Sequence, residues 1–428
     1  MEQILRPDAA IRDQFTLPNG LRVIGERMPF VRTVSVGVFV HTGSMMESPE
    51  EEGLSHFMEH MVFKGTFRRS TRQQAEEMDA CGGQINAFTG KDATVFYCKV
   101  IDSDIALAFD MLSDMTRFAA LDPQELEKEK GVIIEEIAMD QDDPETLCCD
   151  LLGEKQWEGT RAEHSILGTK EQIRGYSSDD LRAFRDRHYS PDRIVLSLAG
   201  NYDPEMVRDL AEEWFGSWEK GQAQDALPLL PVRDGVIYHK THTTEQVHLC
   251  LGYPAPVPGD PMIHPMSVLS SVLGGAASSR LFQRIREDLG LSYNVYAWLS
   301  SMEGAGSLGI YASIGEQNLE TTLREIMGCI ADLKEHGIRE KELQDAKTLL
   351  RAGLLMGLES TSGRMMSNGR SLLILNHAPA WETMEESIRD VTLETVQALA
   401  SQTFSHEPTL CLLSSEALEL PKLKAMLG

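Results

Sequence analysis

The stretch Gly53-Leu-Ser-His56-Phe-Met-Glu59-His60-Met-Val-Phe-Lys-Gly65 decides how the rest of the chain is read. Leu54, Phe57, Met58, Met61 and Phe63 cover most faces of a helix, so the segment is predicted to be helical and largely buried. At about 100° per residue, Glu59 lies at about 300° and His60 at about 40° from His56, which confines three polar side chains to an arc of about 100°. Residues four apart are neighbours on a helix surface, close enough for both imidazoles to reach one metal ion about 2.1 Å from each nitrogen. Buried polar groups need partners, and a cation satisfies three clustered ones at once. His-x-x-Glu-His is also the reverse of the His-Glu-x-x-His zinc pattern. A pair of core histidines satisfied by hydrogen bonds is the alternative this stretch alone leaves open.

Upstream, residues 14–27 read as two short strands joined at Asn19-Gly20, a hairpin signal. Residues 32–40 alternate as a strand with one packed face. Residues 43–53 form a loop that delivers the chain to the histidine helix, with Ser55 or Glu52 available as its cap. Downstream, Ser70 or Thr71 caps a second helix, and residues 82–100 form a hairpin. Its first arm, Gln84 to Thr89, carries few bulky residues. It is either an ordinary sheet edge or an edge to which an extended peptide adds through main-chain bonds.

Residues 103–119 form an amphipathic helix, and Asp122-Pro123 opens another with an aspartate cap and Pro in the first turn. Along this helix Glu125, Glu129, Val132 and Glu136 form one stripe. Most acidic residues here are solvated. Glu136, however, sits beside Ile133, Ile134 and Ile137, where a carboxylate is costly unless paired or bound to a cation. A catalytic zinc site needs three protein ligands and an open position, and Glu136 on this separate helix qualifies as the third. Glu59, beside both histidines but not itself a ligand, is placed to act as general base.

Further helices run to residue 187, and Ser190 to Asp203 holds a buried strand and its turn. The helix 204–218 closes the first half. Residues 219–233 are the linker candidate, dividing the chain into a metal-bearing domain 1–220, a linker 221–233 and a related domain 234–428. The second half repeats the plan: a strand at 245–254, a helix at 265–273, a helix at 280–288, a hairpin over 293–314, helices 317–336 and 339–358, and a last strand at 409–413. It contains no His-x-x-Glu-His, so the metal is expected in only one of two structural relatives.

The 428 residues include 42% apolar ones without any run of eighteen, so no membrane span is expected. The first residues, Met1-Glu-Gln-Ile-Leu-Arg, have no apolar core of a signal peptide. Seven scattered cysteines without Cys-x-x-Cys suit reduced thiols in a cytoplasm; adjacent Cys148 and Cys149 do not easily bridge each other. A net charge of −26 argues against nucleic acid and anionic membranes as partners.

Together these features strongly resemble the pitrilysin/insulinase family of zinc metallopeptidases over essentially the whole length. The similarity is closest to the shorter branch containing the catalytic subunit of the mitochondrial processing peptidase and bacterial processing-type peptidases. The resemblance implies an α+β fold of two structurally related halves, each an antiparallel or mixed sheet packed with helices, forming half of a clamshell. It implies one Zn2+ per chain, held by His56, His60 and Glu136, with Glu129 supporting a ligand histidine. Glu135 competes with Glu136, which is preferred because it matches the last acidic residue before the apolar Ile137 in the family pattern. The family's arginine and tyrosine, seven apart in the second half, match Arg286 and Tyr293 as catalytic residues beside Glu59. Asn86 and Ala87 match the edge segment that binds substrate main chain. The segment His164-Ser-Ile-Leu-Gly168 departs from a longer His-Pro-Leu-Gly form, and His164 is given no role.

The implied activity is a zinc-dependent endopeptidase acting on peptides or unfolded segments, expected as a homodimer. The alternatives are a non-catalytic peptide-binding or assembly subunit of the same fold, and a dedicated maturation peptidase working with a partner subunit.

Overall fold

Hydrophobic strands and amphipathic helices of this chain assemble around two sheets. The computed structural model describes residues 11–221 and 227–427; the chain's first ten residues and part of the linker candidate, residues 222–226, lie outside these. The first sheet comprises β1 (Ile11–Thr16), β2 (Arg22–Arg27), β3 (Thr33–Val40), β4 (Gln84–Thr89), β5 (Thr94–Ile101) and β6 (Ile194–Gly200), in the order β1-β2-β6-β3-β5-β4. The β1–β2 connection runs over Leu17 to Leu21, longer than a two-residue turn, with Gly20 at φ +96°. The second sheet comprises β7 (Ile237–Thr241), β8 (Val247–Pro254), β9 (Ser292–Met302), β10 (Ala305–Ile314) and β11 (Thr409–Ser414), in the order β7-β11-β8-β10-β9.

The second order matches the first without β1. In each sheet one pair is parallel, β2 with β6 and β7 with β11, and the remaining pairs are antiparallel. In each, a hairpin strand forms the far edge: β4 in the first sheet, β9 in the second. The halves are thus structural relatives, as their shared order of strands and helices implies. The short parallel strand β7 was not evident from the sequence, because Ile-Tyr-His-Lys-Thr offers too little alternating apolar pattern.

Five helices carry or flank the residues of interest: α1 (Leu54–Val62), α2 (Thr71–Ala80), α3 (Ile105–Phe118), α4 (Pro123–Asp142) and α5 (Pro144–Gln156). Sequence contiguity does not define the compact units. The first takes Met1–Glu135, His164–Ala226 and Leu355–Pro379, and the second takes Glu136–Glu163, Leu227–Leu354 and Ala380–Gly428. Each sheet therefore receives a helix from the other half of the sequence. The helix Thr361–Leu375 packs on β2, β3 and β6, and α5 packs on β8 and β11.

In the first unit, Met365, Leu372 and Leu373 of that helix close a core with Ile24, Phe39, Val95 and Val195. The backbone approach is close, since a Cβ on Gly37 would lie 2.5 Å from Met365 Sδ. Buried Glu26 accepts Asn368 Nδ2 at 2.7 Å and pairs with Arg364. Ser35 Oγ bonds Thr361 Oγ1 at 2.8 Å. The expectation of one packed face for β3 is corrected by these contacts: Val34 to Val40 are all buried, because this helix covers one face while α3 also packs on the strand. Alternating polarity was too weak a guide here, since Ser35 and Gly37 face a helix rather than water.

Candidate functional site

Helix α1 is buried at Leu54, Ser55, His56, Phe57, Met58, Met61 and Val62. Neither Ser55 nor Glu52 caps it, contrary to the sequence expectation. The N-cap is Gly53, left-handed at φ +89°, and a Cβ there would lie 2.8 Å from the Leu167 carbonyl oxygen. The capping carboxylate arrives from the preceding loop: Glu47 accepts Gly53 N–H at 2.8 Å and Ser55 N–H at 2.6 Å. Capping from six and eight residues away has no local sequence signature, which is why it was missed. Burial pushes Glu47 up to about 7 despite these two bonds. Ser70 caps α2 with Gln73 in a reciprocal box, and Asp122 caps α4.

On α1 the imidazoles of His56 and His60 turn Nε2 towards Nε2 at 3.2 Å. One ligand atom from each of His56, His60 and Glu136 lies within 4.8 Å of the other two, the one such group of three found among the described residues. Donors about 2.1 Å from a tetrahedral ion stand about 3.4 Å apart, so this set fits zinc in size and in its nitrogen and oxygen chemistry. Burial, then proximity to His60, depresses His56 to about 3, which leaves its ring neutral as a metal ligand must be. His60 Nδ1 lies 2.8 Å from Glu129 Oε1, the carboxylate–histidine contact that aims the other ring nitrogen at a metal. Glu129 Oε2 in turn meets Lys64 Nζ at 2.6 Å. Lys64 follows His60 by four residues, so its placement was readable from spacing, but nothing in the stretch distinguished it from a surface lysine.

The proposed stripe on α4 does not share one environment: Glu129 is buried, whereas Val132 is 51% exposed. Glu135, the competing carboxylate, is exposed, and Glu136 is half-buried. The division between compact units falls between these two residues, within one continuous helix. Two turns of that helix separate Glu129 from Glu136 and keep them on one face.

Glu59 is half-buried, and Thr89 Oγ1, at the end of β4, donates to its Oε2 at 2.5 Å. Buried Tyr189 is kept neutral by its burial and by the Glu59 charge, which push its phenol up. Strand β4 pairs with β5 alone and alternates exposed and half-buried residues along its length. Asn86 is exposed, and its Oδ1 accepts Ala87 N–H at 2.8 Å.

Arg286 and Tyr293 belong to the second unit. The segment expected as an α-helix at 280–288 is a π-helix over Phe282–Asp288, a wider winding that recurs at functional positions. It sets the Arg286 guanidinium 4.3 Å from the Tyr293 ring centre and 4.7 Å from that of Phe282, and Arg286 Nη1 donates to the Tyr293 carbonyl at 3.1 Å. The Tyr293 side chain stands out, 77% exposed, near the start of edge strand β9.

Comparison with known proteins gives the family. The profile described as Insulinase (Peptidase family M16) matches residues 22–170, and the Peptidase M16 inactive domain matches residues 176–350. A Bacillus subtilis protein, YmxG, described as an uncharacterized zinc protease, is 41% identical over 94% of this chain and 98% of its own. This chain belongs to the M16 insulinase family. A Streptomyces coelicolor relative, also described as an uncharacterized zinc protease, is 34% identical over 92% of this chain and 88% of its own. Among solved structures, a Helicobacter pylori protease superposes with a TM-score of 0.88 at 20% identity, covering 95% of this chain and all of the other. A Pseudomonas fluorescens M16 inactive domain gives 0.89 at 18% identity, over 95% and 99%. Both show the fold. Within the M16 family, the half matched as the inactive domain is the one without His-x-x-Glu-His.

Two outcomes are expected. Lys64→Met weakens zinc binding about 10-fold in competition with a chromophoric chelator, because Glu129 loses its cationic partner; an unchanged affinity excludes this support. Glu47 carries a folded pKa above its unfolded value near 4.5, so its stabilising contribution is complete below that value and is lost as pH rises through about 7. The urea stability of the native chain therefore falls more steeply between pH 5 and pH 8 than that of Glu47→Gln, by at most ~3 kcal/mol over the window. Parallel curves would show that Glu47 does not titrate there.

Proposed function

We propose that this M16 chain is a zinc-dependent endopeptidase that cuts peptides or unfolded segments of polypeptide. The observation carrying this reading is the convergence of His56, His60 and Glu136 with Glu59 held on the same helix beside the two histidines. Two neutral imidazoles and one carboxylate would hold the ion with a net charge near +1. Bound there, zinc supplies Lewis acidity and lowers the pKa of a water towards about 7.

The chain's own residues do the rest. Glu59 takes the proton of the attacking water and returns it to the leaving amine. Thr89 holds one of its oxygens and fixes the plane of the carboxylate. Glu129 fixes the His60 ring, and Lys64 keeps Glu129 in place. The substrate lies extended against β4 at Asn86–Ala87, where an edge strand gives main-chain recognition independent of side-chain identity. The family resemblance gives Tyr293, stacked on Arg286, the role of donor to the developing oxyanion. Family resemblance and the packing of the pair support this role. A chain with both the metal helix and the Arg286/Tyr293 pair is complete in parts, which supports a homodimer over assembly with a different subunit. All seven cysteines are free thiols, which suits a cytoplasmic setting, and among the described residues no helix is long and apolar enough to cross a membrane.

The decisive test follows cleavage of a quenched peptide with chelator, then with zinc restored. Activity disappears and returns if the reading is right; chelator-insensitive cleavage, or none at any zinc level, overturns it. In the same assay Glu59→Gln retains one zinc and loses at least about 100-fold in kcat, and full activity of that variant refutes the general-base assignment. Tyr293→Phe lowers kcat more than it raises KM. A pure KM effect makes Tyr293 a binding residue instead.

A further inference from the structure

Four of the seven cysteines meet in the second unit, outside the catalytic scheme. Cys148 and Cys149 lie on α5, and Cys250 on β8 is the cross-strand partner of Cys411 on β11. Cys148, Cys250 and Cys411 belong to the apolar layer between helix and sheet, together with Leu147, Leu151 and Leu152. Cys149 differs from them: it is half-buried, at the edge of that layer, and its Sγ lies 3.7 Å from Cys250 Sγ.

We propose that Cys149 and Cys250 form a peroxide-oxidisable dithiol, whose disulfide staples helix α5 to strand β8. The two sulfurs are already in van der Waals contact across elements that pack on each other, within reach of a bond of about 2.05 Å. Cys149 is the attacking thiol. Its pKa is lowered chiefly by its bond to Cys250, whereas burial raises Cys250 well above the ordinary thiol value. The Cys149 thiolate attacks one oxygen of hydrogen peroxide, giving the sulfenic acid and hydroxide, which takes up the proton that Cys149 released. The Cys250 thiol then displaces water from the sulfenic sulfur. Two thiols and one peroxide thus yield one disulfide and two waters, with two electrons passing from sulfur to oxygen.

The link would close a loop between residues 101 positions apart, constraining the unfolded chain strongly. It would also fix α5, whose first turn holds β9 through Glu145, which accepts Asn294 Nδ2 at 2.9 Å and the Tyr296 hydroxyl at 2.7 Å.

The test treats the reduced, zinc-loaded full chain with a small excess of hydrogen peroxide. The expected result is loss of two titratable thiols and about 2 Da of intact mass, a melting temperature raised by at least about 3 °C, and reversal of all three by dithiothreitol. Cys149→Ser, at a half-buried position, folds and shows none of these changes, whereas Cys148→Ala retains the cross-link. Loss of two thiols in Cys149→Ser, a cross-link that disappears in Cys148→Ala, or oxidation of Cys149 to sulfinic acid with the Cys250 thiol intact overturns the proposal.

Discussion

Two imidazole nitrogens held 3.2 Å apart in a buried helix set the terms for the rest of the first unit. Burial, then proximity to His60, disfavours a charge on His56, so its ring stays neutral. Two ring nitrogens directed at one spot make a seat for a cation that the Glu136 carboxylate would share. The surroundings keep that spot organised in the meantime. Glu129 fixes His60, Lys64 compensates the charge of Glu129, and Glu47 satisfies the first backbone donors of α1. Three carboxylates of one chain thus have three distinct tasks, assigned by where the fold places them rather than by their chemistry.

Rigidity of the candidate metal-binding set comes from two kinds of continuity. His56 and His60 are separated by one helical turn, so their relative placement is fixed by backbone hydrogen bonds. Glu136 lies more than seventy residues later, but α4 runs unbroken from Pro123 to Asp142, so the same helix that presents Glu136 presents Glu129 two turns earlier. Contact with His60 at the Glu129 end sets the rotation of α4 about its axis, and that rotation decides which of Glu135 and Glu136 turns towards the histidines. The exposed Glu135 is the consequence.

The parts legible in the sequence are those encoded by short-range periodicity: α1 and its three polar residues, the α4 start at Asp122-Pro123, and the repeat of strand, helix and hairpin in the second half. Tertiary relations were not legible. Glu47 caps a helix from a loop with no capping pattern, and no pattern marks Lys64 as the partner of Glu129. The segment Thr361–Leu375 received no assignment from the sequence, and no local signal says that it packs on β2, β3 and β6 rather than beside its sequence neighbours. Ser35 and Gly37 were misread for the same reason, since small and polar residues on a strand suggest water when the actual neighbour is a closely approaching helix. The π-helix at Phe282–Asp288 lay equally beyond pattern, because its sequence is that of an α-helix.

The exchanged helices explain why two related halves persist in one chain. Each sheet offers an apolar face that its own sequence half leaves without the helix it needs. Met365, Leu372 and Leu373 fill one such face, and Leu147, Leu151 and Leu152 the other. At about 1.5–3 kcal/mol for each large apolar side chain taken from water, this exchange contributes an amount comparable to the net stability typical of a single domain. Neither half is then a self-sufficient folding unit, and deletion of the half without His-x-x-Glu-His removes the cover of the half that has it. The second half has no counterpart to His56, Glu59 and His60 yet retains the sheet order, the edge strand and the surface that receives α5. A solvent-exposed tyrosine stacked on an arginine beside that edge strand lies outside the exchanged core, so its chemistry was free to be selected separately from the fold.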